Sequence, residues 1–252
     1  METGARLNLN IASFIGEHYI WKIGALAFHA DTLIMCWIAS GILLTITLLV
    51  RLNLRERRIG WVQSAAEVTV EALMGMTESQ LGKRAKTFFP LVATLFLFII
   101  TCNWLEAIPF NQLYDLLLKP IIGRPHGLEL SAPTSDLNTT AALALIVFVV
   151  SLGAGIMIRR AKYFRHFIEP IFVFLPINLM EEVSKPFSLA IRLFANIFSK
   201  VIILLLLVEL LAFPLGYPVP LTILSLFIGS IQAFIFALLA SFYIGMAINE
   251  EH

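Results

Sequence analysis

The stretch Ser188-Leu-Ala-Ile-Arg-Leu-Phe-Ala-Asn-Ile-Phe-Ser-Lys200 sits in a long apolar region and carries a guanidinium, that of Arg192, in its middle. An arginine at the centre of a membrane helix costs roughly 2.5–3.5 kcal/mol on insertion scales. The group does not shed its proton to escape that cost. A partner charge, a polar cavity or an ion pathway is therefore expected beside it. At about 100° per residue, Asn178, Glu181, Lys185, Ser188, Asn196 and Ser199 fall on the side of Arg192, with Glu182 and Lys200 flanking them. Farther along, the same face becomes Ile203, Leu206 and Leu207. A polar seam thus runs part of the way along one helix. Two readings stand: a polar face packed on neighbouring helices with Lys200 snorkelling, or an ion pathway. So many polar residues on one seam exceed what helix packing alone asks for.

Outward from this helix, the chain reads as an all-α polytopic membrane protein. Apolar residues make up 59% and charged residues 14%, which excludes an ordinary soluble domain. A net charge of +1 argues against nucleic acid as a partner. Cys36 and Cys102 both lie in apolar spans and read as isolated thiols. A crossing helix needs about 20 apolar residues. Candidates are 32–50, 87–105, 137–158, 177–213 and 221–248, about five in all. Residues 1–29 are mixed in character and read as an outer segment, without the features of a removable signal peptide. The basic residues Arg51, Arg55, Arg57 and Arg58, then Lys83, Arg84 and Lys86, then Arg159, Arg160, Lys162 and Arg165 all flank the same ends of the first three spans. By the positive-inside rule the N-terminus is outside and the C-terminus cytoplasmic.

Residues 61–82 carry Glu67, Glu71 and Glu78 on one helical face and Val62, Leu73 and Met76 on the other. They read as an amphipathic helix at the cytoplasmic surface. It is either a solvated face or a docking site for a stalk-like subunit. The span from Asn178 to Phe213 is about 36 residues, or ~54 Å at 1.5 Å per residue. A hydrocarbon core is only about 30 Å thick, so this helix must tilt or break, with Pro186 a natural kink. Pro214, Gly216, Pro218 and Pro220 separate it from the last helix, which should start near Leu221. Those last two helices are expected as a long, steeply tilted hairpin. On the final helix Ser225, Gln232 and Tyr243 share one face, and Gln232 can hydrogen-bond across to the Arg192 seam. Glu209 stands alone in an apolar run, as an interface anchor or an ion-access group. Asp136 is placed to cap the third span. No phosphate-binding glycine loop, paired metal-ligand spacing or inverted repeat is visible, and no cofactor is expected.

Several motifs together give the chain a resemblance. Ser188 to Asn196, Ile231-Gln232-Ala233-Phe234-Ile235-Phe236, Asn103-Trp104-Leu105-Glu106-Ala107-Ile108-Pro109, Pro133-Thr134-Ser135-Asp136, Pro176-Ile177-Asn178 and the Glu250-Glu251-His252 end are spread in order along it. They resemble subunit a of F-type ATP synthases. The resemblance implies a non-catalytic stator subunit against a rotating ring of c proteolipids, each with a membrane carboxylate. It also implies peripheral-stalk b subunits as partners and a bacterial inner membrane or an organellar one as location. Arg192 would be the essential arginine separating two offset half-channels. The cytoplasmic half-channel would use Asn178, Glu181, Glu182, Ser184 and Ser188, with Gln232 and Asn196 beside Arg192. Asp136, Ser225 and Glu209 would serve the outer one. The chain departs from the family pattern at Val201, where an acid is common, at Lys200, and at Ser225, where an ionisable group is common. Proton coupling therefore competes with sodium coupling. A self-contained channel or secondary transporter, and an assembly subunit without transport, are the readings from other classes.

Overall fold

The structure is a computed structural model. It describes residues 20–23, 26–52, 60–105, 132–160, 176–177, 180–193, 195, 202 and 219–248. Uninterrupted apolar sequence in lipid can satisfy its backbone only as helix or closed barrel, and here it is helix. Four helical stretches among the described residues are long and apolar enough to cross a membrane: Ala30–Leu52, Trp61–Leu105, Leu137–Arg159 and Ile223–Ile248. The membrane-spanning part of the fold is all-α and polytopic.

In chain order, a small antiparallel hairpin of β1 (Ile20–Ile23) and β2 (Leu26–His29) leads into α1 (Ala30–Leu52). The hairpin belongs to the segment read as extramembrane. Helix α2 (Trp61–Leu81) ends at Gly82, whose φ of 55° is in the region that favours glycine. A 3-10 turn, Gly82–Arg84, then delivers the chain to α3 (Ala85–Leu105). Leu73 of α2 and Val92 of α3 share one core, although a straight helix would hold them about 28 Å apart. The turn therefore folds α2 back on α3. A second 3-10 turn, Pro133–Ser135, precedes α4 (Leu137–Arg159). Residues 180–193 form helix α5, and α6 spans Val219–Ile248. Helix α6 starts two residues before the expected Leu221, because Pro220 is tolerated in a first helical turn, where its missing N–H has no intrahelical partner to lose. Asp136 caps α4, its side chain accepting from the Asn138 N–H at 2.9 Å.

Helix α6 is central. Its buried face is largely small residues, Ala233, Ala237, Ala240 and Ser241 among them, which lets neighbouring backbones come close. At Gly245 a Cβ would stand 2.7 Å from the Gln80 carbonyl oxygen, and at Gly229 one would stand 2.9 Å from the Asn103 Cβ. Neither position has room for a side chain without movement. One end of the bundle gathers Leu81, Ala85, Ala154, Ile244 and Ile248, near the basic residues Lys83, Arg84 and Arg159. The other end holds Asn103, Thr134 and Asp136.

In α2, Leu73, Thr77 and Leu81 are buried, while Glu67, Glu71 and Glu78 are exposed. Trp61 and Val62, at its first turn, are exposed as well, so only the second half of α2 is fastened to the bundle. An open groove of about 620 Å³ runs past Val50 of α1 and Glu67, Val70, Glu71 and Glu78 of α2.

Candidate ion-translocation site

Helix α5 has three faces. Leu189, Ala190 and Leu193 are buried, packed in one core with Val92, Leu95 and Phe96 of α3 and Ala233 and Phe236 of α6. Met180, Val183, Phe187 and Ile191 form an exposed apolar stripe on the far side. Between them lies the polar seam. Arg192 and Lys185 on it are half-buried, and Glu181 and Ser188 are exposed. The guanidinium therefore sits at the border between a protein-backed face and an outward-facing apolar one. Such a stripe requires lipid or another apolar protein surface over it. The helix runs through Pro186, whose ring nitrogen carries no N–H to donate along the helix.

Lys185 answers the nearby acids. Its Nζ is 2.5 Å from Glu182 Oε2 and 3.8 Å from Glu181 Oε1, an i,i+3 and i,i+4 arrangement. Ser184 is exposed and donates to the Met180 carbonyl at 2.7 Å. Glu181 and Glu182 thus come together with a lysine that the seam already contained in sequence.

Gln232 lies on α6. It is 8% exposed, and its Nε2 amide has no hydrogen-bond partner among the described residues. A buried donor in that state costs about 1–3 kcal/mol. Gln232 directly precedes Ala233, just as Arg192 directly precedes Leu193, and Ala233 and Leu193 belong to one core. The residues that follow the two polar ones thus lie in the same apolar cluster. Ser225 is half-buried on α6. Asn178, Asn196 and Glu209, with Lys200 and Val201, lie outside the described residues.

The height of Gln232 is fixed by contacts that periodicity does not reveal. Asn103, 2% exposed on α3, donates to the Gly229 carbonyl at 2.9 Å and accepts from Thr134 at 3.0 Å. The neighbouring Trp104 indole donates to Ser230 at 2.9 Å. Nearer the basic end, Ser151 of α4 donates to the Tyr243 carbonyl at 3.0 Å. These bonds join α6 to α3 and α4 on both sides of Gln232.

Asp136 stands at the opposite end from the basic residues. Its Oδ2 meets His29 Nδ1 at 2.8 Å and accepts from the Thr32 hydroxyl at 3.0 Å. Burial pushes this carboxyl up, but the Asn138 N–H, His29 and Thr32 together outweigh it, so the group lies below its ordinary value. Residues 29, 32 and 136 are brought together from β2, α1 and the α4 cap, which sequence spacing alone does not signal.

A family model described as ATP synthase A chain matches residues 33–245. The chain belongs to that family. As a subunit a it is a membrane component of the Fo sector, a non-catalytic part of the ATP synthase complex that takes part in ion translocation. The matched stretch contains Arg192, Gln232 and Asp136, whereas His29 and Thr32 precede it.

Proposed function

We propose that this subunit a is the proton-conducting stator of Fo. It forms two offset half-channels that exchange protons with carboxylates on a rotating c-ring, and Arg192 separates them. The observation that carries this reading is the position of Arg192, on the border between a buried face and an exposed apolar stripe of α5. A ring helix laid on that stripe brings its carboxylate past the guanidinium. The fixed positive charge favours the ionised carboxylate and so promotes proton release. It also bars direct leakage from one half-channel to the other. A reprotonated carboxyl can then leave the stator for lipid, where an ionised one cannot go.

The seam residues Asn178, Glu181, Glu182, Ser184 and Ser188 serve the cytoplasmic half-channel. Asp136, Ser225 and Glu209 serve the outer one, with Gln232 and Asn196 beside Arg192. Gathering of the basic residues at one end of the bundle supports an N-terminus outside and a C-terminus in the cytoplasm of a bacterial inner membrane. The acidic groove beside α2 suits a basic or amphipathic segment of the peripheral-stalk b subunits.

The test is Arg192→Ala in the assembled complex. Gradient-driven ATP synthesis should fall to background while assembly persists, and retained synthesis refutes the reading. Cysteines placed one at a time from 188 to 199 should cross-link to the c proteolipid on the Arg192 side of α5 and its exposed stripe. An absence of cross-links there, in an intact complex, refutes the placement.

A further inference from the structure

We infer that His29 and Asp136 form a proton relay at the outer mouth of the subunit, with His29 collecting protons and Asp136 passing them inward. This rests on the outer half-channel reading above and adds a residue outside the matched family stretch. Three features carry it. The first is contact geometry, with Nδ1 and Oδ2 2.8 Å apart, within the range proton transfer requires. The second is graded wetting, since the His29 side chain is 29% exposed and that of Asp136 only 8%. The third is restraint, because Thr32 holds Oδ2 and the Asn138 N–H holds Oδ1, fixing the carboxylate toward the ring.

The transfer balances simply. His29 gains a proton at Nε2 from outer water, and its Nδ1 proton passes to Asp136 Oδ2. The imidazole is left neutral in its other tautomer, and the carboxyl is neutral until it hands the proton inward. Imidazole is the side chain whose charge ordinarily changes between about pH 5 and 8, the range an outer aqueous face presents. Among the described residues, other titratable groups around the pair are Asp31, buried beside Thr32 in α1, the Cys36 thiol of α1, which Thr139 of α4 hydrogen-bonds, and behind it Cys102 of α3.

The experiment uses the complete ATP synthase in liposomes, with the opposite-face pH and the membrane potential held constant. Outer-face pH is varied from about 5 to about 8. The wild-type rate should show a titration step in that window. His29→Gln keeps hydrogen-bonding capacity but cannot titrate. It should lose the step and slow turnover on the order of tenfold at the alkaline end, where protons are scarce. Imidazole added on the outer face should restore part of the rate. Superimposable profiles for wild type and His29→Gln overturn the relay. If the variant fails to assemble, nitrogen NMR of histidine-labelled wild-type complex decides instead. A His29 ring that keeps one charge state across the window overturns the relay, and one that titrates supports it. Arg192→Ala is run in parallel. If it still makes ATP, the half-channel reading and the relay fall together. If it is inactive while His29→Gln matches wild type, only the relay falls.

Discussion

Helices α1 and α6 are alike in hydropathy and unlike in position. Both are long and apolar enough to cross a membrane. Yet the buried residues of α1, Ala30, Asp31, Thr32, Met35 and Ala39, all lie in its first half. Its second half leaves Leu44 70% and Leu52 71% exposed. Helix α6 is buried from Gly229 through Ile248, on a face of glycine, alanine and serine with Phe236 and Ile244 between them. Hydrophobicity decides that each helix enters the membrane. Small residues at turn spacing decide which one becomes the centre, because lipid tails compete equally well for large apolar side chains.

The sharpest test of that contrast sets glycine against glycine. Gly245→Leu in α6 drives a side chain into the Gln80 backbone carbonyl and should destabilise the subunit by about 3 kcal/mol. Gly41→Leu in α1 enters open space and should change stability by less than about 0.5 kcal/mol. Unfolding of the purified subunit in mixed micelles reads both, and equal losses would erase the distinction. Next in size is Asn103→Leu. It removes a donor to the Gly229 carbonyl and an acceptor for Thr134 in a buried site, at about 2 kcal/mol. Gradient-driven ATP synthesis should fall with it, since Gln232 is only three residues from that contact.

The smallest effect concerns how α1 is held at its N-terminal end. Asp136 has a lowered pKa, so its bonds contribute fully above the ordinary value of 3.8 and are lost as pH falls through the lowered one. Acid titration of thermal stability should therefore show a drop below pH 3.8 that Asp136→Asn abolishes. An unchanged drop would assign acid sensitivity to other carboxylates.

Much of this architecture was legible from the chain alone, for physical reasons. Long charge-free runs dictate membrane helices, and an aspartate before such a run dictates a cap, as Asp136 shows. The Arg192 seam was visible because its members share one helix and one period. The exposed apolar stripe beside it is also periodic, from Met180 to Ile191, but which apolar face a bundle buries depends on neighbours that the sequence does not order in space. Contacts between distant segments left no trace. His29 and Asp136 are 107 residues apart and Asn103 and Gly229 are 126 apart, and no pattern in either partner's surroundings announces the other. The pairing of Lys185 with Glu181 and Glu182, by contrast, was readable from i,i+3 and i,i+4 spacing.

The bond from Asn103 to Gly229 has a rotational meaning. Sliding a helix past its neighbour by a single residue advances it about 1.5 Å and swings every side chain through roughly 100°. Such a step would carry Gln232 off the buried face it occupies. Asn103 therefore works as a detent, indexing the dial of α6 so that Gln232 keeps its buried position.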